Sequence, residues 1–265
     1  MPFRILAGAA LLIVGVLPAT AEAQRTGDQA RLIFTVSAGG VGGKQLWTVD
    51  RQPVQFTDPI DTLALGRRIR STLTFGFAGT YFPGENLGLS IEGFLVGLGF
   101  EDSCRLFFSS GSGAVADACA FLQGNKKPAT SVMLTAGPVF RVNSRKAFSP
   151  YARLNLGVLF STQSPLRTIG RFSGDSASVD LIIYSDDRDS RVEPAAVLAA
   201  GFTVPVAKGY QLRWEARDNI VGVQQVTGAS PQVGAIPPHQ LEFKHLFSLT
   251  VGFDVVLERR MGRRY

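Results

Sequence analysis

Along most of this chain apolar residues recur at every second position, the period of a β-strand rather than of a helix. The C-terminal stretch is the clearest case. Phe247, Leu249, Val251, Phe253, Val255 and Leu257 are apolar, while Ser248, Thr250, Gly252, Asp254, Val256 and Glu258 stand between them. The same alternation runs through 151–161, where Ala152, Leu154, Leu156, Val158 and Phe160 oppose Arg153, Asn155, Gly157 and Ser161. It returns at 211–217, where Leu212, Trp214 and Ala216 face away from Arg213, Glu215 and Arg217, and again at 131–141 and 72–81. Windows with helical spacing are scarce, and Gly interrupts most of them. Residues 31–38 fit the period weakly. Residues 87–100 and 193–206 have strand composition but no clean polar face, and a bulge near Gly93 would switch the phase of the first.

The pattern predicts strands near 31–38, 69–81, 87–100, 130–142, 150–162, 193–206, 210–221 and 241–257. Short connections (83–86, 142–149, 207–209) alternate strictly with long polar ones (39–68, 101–129, 163–192, 222–240). A sheet in hydrocarbon must pair all its backbone groups and therefore close on itself. Apolar-out strands, short turns at one end and long loops at the other are what such a closed sheet requires. The expected fold is all-β: a closed, antiparallel, up-and-down transmembrane β-barrel of eight strands. A soluble β-sandwich or lipocalin-like barrel would instead have to bury the apolar face of every strand. Residues 45–49 and 54–57 could add a hairpin and make ten strands, but they are too short to cross a bilayer and are assigned to the first outer loop.

Composition narrows the class. Charged residues are 18% of the 265-residue chain and Gly numbers 29, which argues against disorder and against a coiled coil. Past residue 17 no apolar run reaches 18 residues, so helical spans are excluded. The first 23 residues read as a secretory signal peptide: Arg4, an apolar core over 5–17, and Ala21-Glu22-Ala23 as a cleavage site. Cleavage removes one base and one acid, so the net charge of +6 persists. The expected organisation is signal peptide 1–23, barrel 24–258 and a basic periplasmic tail 259–265. Cys104 and Cys119 share one long loop, and an even cysteine count in an exported chain predicts a disulfide.

Parity along the strands points Glu92, Arg141, Arg153, Arg213, Glu215, Arg217, Asp254 and Glu258 into the lumen. Four bases and four acids suit a plug of ion pairs in an interior that side chains fill; a charged pore lining is the alternative. Tyr81, Phe140, Trp214 and Phe253 point outward near the periplasmic ends of their strands, as an interfacial girdle would. His245 and Ser248 lie three apart on a strand and so on opposite faces, and His239 sits beside Pro237 and Pro238. No catalytic site, metal or cofactor is expected, and no basic-aromatic module suggests nucleic acid.

The most specific motif is in the last strand, Thr250-x-Gly252-x-x-Val255-x-Leu257. With the leader and the alternating loops, it makes the chain resemble the small outer-membrane barrels of Gram-negative-type bacteria, the class of the OmpA transmembrane domain and OmpX. That resemblance implies location in the cell outer membrane and contact with membrane lipid and lipopolysaccharide. It also implies recognition of the four motif residues by the barrel-assembly machinery, and the chain is expected to be a monomer. Arg67, Arg68 and Arg70 open the second strand at its outer end, where guanidinium forks would meet lipopolysaccharide phosphates. Some small barrels of this kind are lipid A deacylases or palmitoyltransferases, but their His-x-Ser pattern is absent here. The reading is a non-enzymatic envelope protein with a structural or surface-interaction role. A narrow porin-like channel ranks second and a lipid A-modifying enzyme third.

Overall fold

The computed structural model describes residues 31–55, 60–108, 113–142, 144, 146–173, 177–186 and 191–258, without the side chains of Arg191 and Glu258. The expected signal peptide and basic tail lie outside the described residues. In chain order the elements are β1 (Arg31–Val41), β2 (Lys44–Val54), β3 (Asp61–Ile69), β4 (Thr72–Phe82), β5 (Leu87–Gly97), β6 (Phe100–Phe108) and the helix α1 (Gly113–Leu122). They continue as β7 (Lys126–Lys127), β8 (Thr130–Arg141), β9 (Ser149–Ser161), β10 (Thr168–Ser173), β11 (Ser178–Tyr184), β12 (Arg191–Ala207), β13 (Tyr210–Val226) and β14 (His239–Glu258).

Eight of these close into the barrel. β1, β4, β5, β8, β9, β12, β13 and β14 each pair antiparallel with the next, and β14 returns to β1. A row of paired residues leaving β1 at Val41 runs through Ser248, Arg217, Ala199, Arg153 and Val139 to Gly88. It arrives back at β1 near Arg31, on the partner of Phe82. Such a stagger means strongly tilted strands, as closure of a small barrel demands. The outer wall is apolar. Ile91 and Leu249 are each 72% exposed, and Leu73, Phe77, Leu156 and Phe247 stand out from the wall beside them. An unbroken apolar band of this extent is a lipid-facing surface. The chain is a closed, antiparallel, eight-stranded β-barrel with a wall of the transmembrane type.

Each barrel strand falls on one of the eight expected, with two instructive differences. The second begins at Thr72 rather than 69, because the chain turns at Arg70–Ser71 and 61–69 belongs to another sheet. In the third, no bulge occurs at Gly93: the register with both neighbours is continuous and burial alternates without a break. Its outer half lacks a polar face for a different reason, given below.

The long loops are themselves folded. β2, β3, β6 and β7 form a four-stranded sheet, β10 and β11 a hairpin, and α1 packs against them, together making a cap over the outer end of the barrel. The hairpin suspected between 45–49 and 54–57 is not what forms: Lys44–Val54 is one continuous strand, it pairs with Asp61–Ile69 in this cap, and the barrel keeps eight strands. α1 buries Val115, Ala118, Cys119 and Leu122. The disulfide Cys104–Cys119 ties it to β6 across 15 residues. Closing a loop of that length restricts the unfolded chain by about 3 kcal/mol. Replacing both cysteines with Ser is expected to lower cap stability by roughly that amount, read as faster cleavage of the outer loops by added protease.

Candidate functional site

Inward positions on five strands supply the lumen charges. Glu92 on β5 meets Arg153 on β9 and Arg217 on β13. The Arg153 Nη2 donates to Glu92 Oε1 at 3.0 Å and to Glu215 Oε1 at 2.6 Å. The Arg217 fork donates to both oxygens of Glu92, at 2.7 and 2.9 Å, and its Nε lies 3.5 Å from Glu215. Beside this quartet the Tyr151 hydroxyl donates to Glu215 Oε2 at 2.6 Å. Arg213 grips Asp254 on β14 through three contacts of 2.9–3.1 Å, and Thr35 on β1 donates to the same carboxylate at 2.8 Å. All of these side chains are buried. Two rings complete the packing: Arg217 lies 3.8 Å over Phe94, and Arg213 4.8 Å over Tyr151.

Of the eight expected lumen charges, six therefore meet in one network spanning the barrel. Arg141 stands apart. It stacks 3.6 Å over Phe82 and donates to the carbonyl of Glu85 in the first short turn, at 2.7 Å. The Glu258 side chain lies outside the described residues. Sequence parity found the charges but not their polar neighbours Tyr151 and Thr35. Asn155, which the alternation sets on the polar face, and Asn219 are both fully buried; parity names a face but not which of its uncharged polar residues the lumen encloses.

Above the charges the lumen is mainly apolar, with Thr74, Ser131 and Asn219 buried among the apolar side chains. Phe94, Val96, Met133, Leu159, Val197, Val221 and Leu246 point inward and are buried. They form one continuous core with Trp47, Leu63, Ile69, Leu122 and Ile183 of the cap. This explains the two expected strands without a polar face. Their inward positions at the outer end, Phe94 and Val96 on β5 and Val197 and Ala199 on β12, pack into that core rather than into water. Gly76 on β4 makes the room: a Cβ there would come within 2.5 Å of the Phe94 ring.

The outward aromatics Tyr81, Phe140, Trp214 and Phe253 are about half exposed on the barrel wall, with Tyr210 stacked on Phe253 at 5.5 Å. On the last strand Thr250 and Gly252 face the lumen and Leu257 the lipid, with Val255 half-buried.

No protein-family model and no curated protein matches the chain. Among solved structures it is similar to the outer membrane protein OprG from Pseudomonas aeruginosa, at 9% identity and TM-score 0.47 over 88% of this chain and 98% of that one. It is likewise similar to Neisserial surface protein A, at 9% identity and TM-score 0.38 over 85% and 97% of the two chains. The attachment invasion locus protein of Yersinia pestis gives 13% identity and TM-score 0.37 over 87% and 100%.

The three outer arginines do not act together. Arg67 is 1% exposed inside the cap. It forks onto Asp102 at 2.5 and 3.0 Å and donates to the carbonyls of Pro165 and Arg167 at 2.8 and 2.9 Å. Its neighbour Lys127 reaches the same carboxylate at 3.4 Å, and burial, helped by the charge of Arg67, pushes the Lys127 ammonium below its ordinary pKa. A side chain so enclosed holds the cap together and has no reach to a lipid phosphate. Arg68 and Arg70 remain at the surface and half-buried respectively.

The histidines separate as parity requires. Ser248 faces the lumen, where Asn219 Nδ2 donates to its hydroxyl at 2.9 Å. His245 stands on the outer wall with its Nδ1 2.7 Å from Asp218 Oδ2, a pairing the sequence did not announce. His239 Nδ1 lies 2.8 Å from the carbonyl of Pro237.

Proposed function

We propose that this protein is a non-conducting, non-enzymatic surface protein of the outer membrane, in which the barrel is the anchor and the folded cap is the face offered to partners. The observation that carries the reading is the filled lumen. A buried ion network crosses the barrel, and an apolar core lies directly above it with no break into the cap. Water and ions would have to dissolve that core before passing. Opening it exposes apolar surface at about 25 cal/mol per Å² and strips the charges of their partners. In this reading residues 24–258 form one exported unit behind a 1–23 leader. The Thr250, Gly252, Val255 and Leu257 motif presents it to the barrel-assembly machinery. A closed barrel has no free edge to pair with a second copy, which favours a monomer.

The test is single-channel recording of the mature protein refolded into a planar bilayer, with and without reductant. Silence is expected in both conditions, since the disulfide lies in the cap and the network in the barrel wall. Stable ion-selective steps in either condition would overturn the reading and turn Glu92, Arg153, Glu215 and Arg217 into a selectivity lining.

A further inference from the structure

Where the wall of the barrel meets the cap, two chain crossings are pinned together. The Gly43 amide donates to the Ser71 hydroxyl at 3.0 Å. A Cβ at residue 43 would lie 2.5 Å from the Ile69 carbonyl oxygen, so only glycine lets the β1–β2 turn pass this close to the β3–β4 joint. Beside this crossing opens a polar cleft of about 530 Å³. Its charged lining is Lys44, Arg68, Arg70, Lys126 and Glu101, four bases against one acid.

The sheet places these side chains in register. Gln45, Arg68, Glu101 and Lys126 are partners along one row of β2, β3, β6 and β7, and Lys44 precedes Gln45. Arg68 donates to Glu101 at 2.7 and 3.0 Å. That hydrogen bond, aided by the charges of Arg68, Lys126 and Arg70, holds the half-buried Glu101 carboxyl below its ordinary pKa. One carboxylate thus answers one guanidinium. Lys44, Arg70 and Lys126 form no ion pair among the described residues, which leaves an excess of positive charge in a cleft with a rigid backbone floor.

The height of the cleft points to its ligand. Ser71 is followed at once by β4, whose second residue, Leu73, is 71% exposed on the lipid-facing wall. The cleft therefore sits immediately above the hydrocarbon band, at the level of the outer-leaflet headgroups. We propose that Lys44, Arg68, Arg70 and Lys126 form a binding site for the phosphate of an outer-leaflet lipid headgroup. Planar guanidinium forks suit phosphate oxygens, and the two ammonium groups add charge without fixed geometry. The site differs from the run of arginines visible in the sequence: Arg67 drops out, and two lysines more than twenty residues away on either side join. It is independent of whether the barrel conducts.

The test places the full chain in phosphatidylcholine nanodiscs containing either bisphosphorylated lipid A or its dephosphorylated counterpart, and measures retained lipid by mass spectrometry. The phosphorylated form is expected to be retained on the order of tenfold more, as loss of a charge-assisted contact implies. K44Q/K126Q should abolish most of that preference, as should R68Q/R70Q, a second variant made should the first fail to fold. The charge-matched K146Q/K208Q, on the opposite rim, should leave it intact. Equal retention of the two lipids overturns the proposal, as does equal loss in the K146Q/K208Q control. Binding of inorganic pyrophosphate to the protein in lipid A-free nanodiscs as tightly as lipid A is bound also overturns it, because the site would then serve a soluble phosphate.

Discussion

Replacing Glu92 with Gln is expected to destabilise the barrel by about 3–5 kcal/mol, the usual consequence of removing one partner from a buried ion pair. Glu92 accepts from Arg153 and from both ends of the Arg217 fork. Without its charge two guanidiniums share Glu215 alone in a medium of low dielectric. Urea unfolding of the refolded protein in lipid vesicles reads the change directly. The double variant E92Q/R217M should recover a good part of the loss, because it removes the orphaned charge as well as its partner. A midpoint shift of less than about 0.5 kcal/mol for E92Q would show instead that the network is solvated. That result would argue for an open lumen as strongly as a conductance step.

Replacing Arg67 with Ala should be comparably costly but confined to the cap. Arg67 holds the 162–168 segment to the sheet through Asp102 and two backbone carbonyls, and Trp47 Nε1 donates to the carbonyl of Pro165 beside it. Its loss leaves the buried Asp102 carboxylate with Lys127 alone and takes a donor from the carbonyls of Pro165 and Arg167, about 3–5 kcal/mol in all. Protease added outside intact vesicles is expected to cut the outer loops of R67A rapidly while the barrel fragment stays protected and heat-modifiable. Loss of the barrel as well would mean that cap and wall unfold as one unit, held by the apolar core they share. Resistance equal to that of the unaltered protein would mean that the cap does not depend on this residue.

The two expectations show how unevenly the molecule is written into its sequence. The parity that put Glu92, Arg153, Glu215 and Arg217 on inward positions is local: a side chain two residues along a strand shares its face. The long and short connections told the two ends of the barrel apart by the same kind of local reading. Cys104 and Cys119 needed only a count and an exported context. Arg67, Arg68 and Arg70, by contrast, looked like one basic run. Only the turn at Arg70–Ser71 and the pairing of β3 with β6 show that Arg67 points into the cap core and Arg68 away from it.

By itself the sequence determined the strands, their inward and outward faces and the disulfide. Each of these depends on neighbours in the chain, where a period of two, a run of turn residues or a pair of cysteines carries the physics. The tertiary structure alone decided that the outer half of the lumen is mainly apolar. That outcome depends on β5 and β12 meeting the cap elements folded from two long loops, and their burial arises only from contacts between segments far apart in sequence. It also decided which acid each arginine holds, and that Lys44 and Lys126 stand beside Arg68. Those pairings follow from strand register, and register is set by the simultaneous burial of many side chains rather than by any one segment.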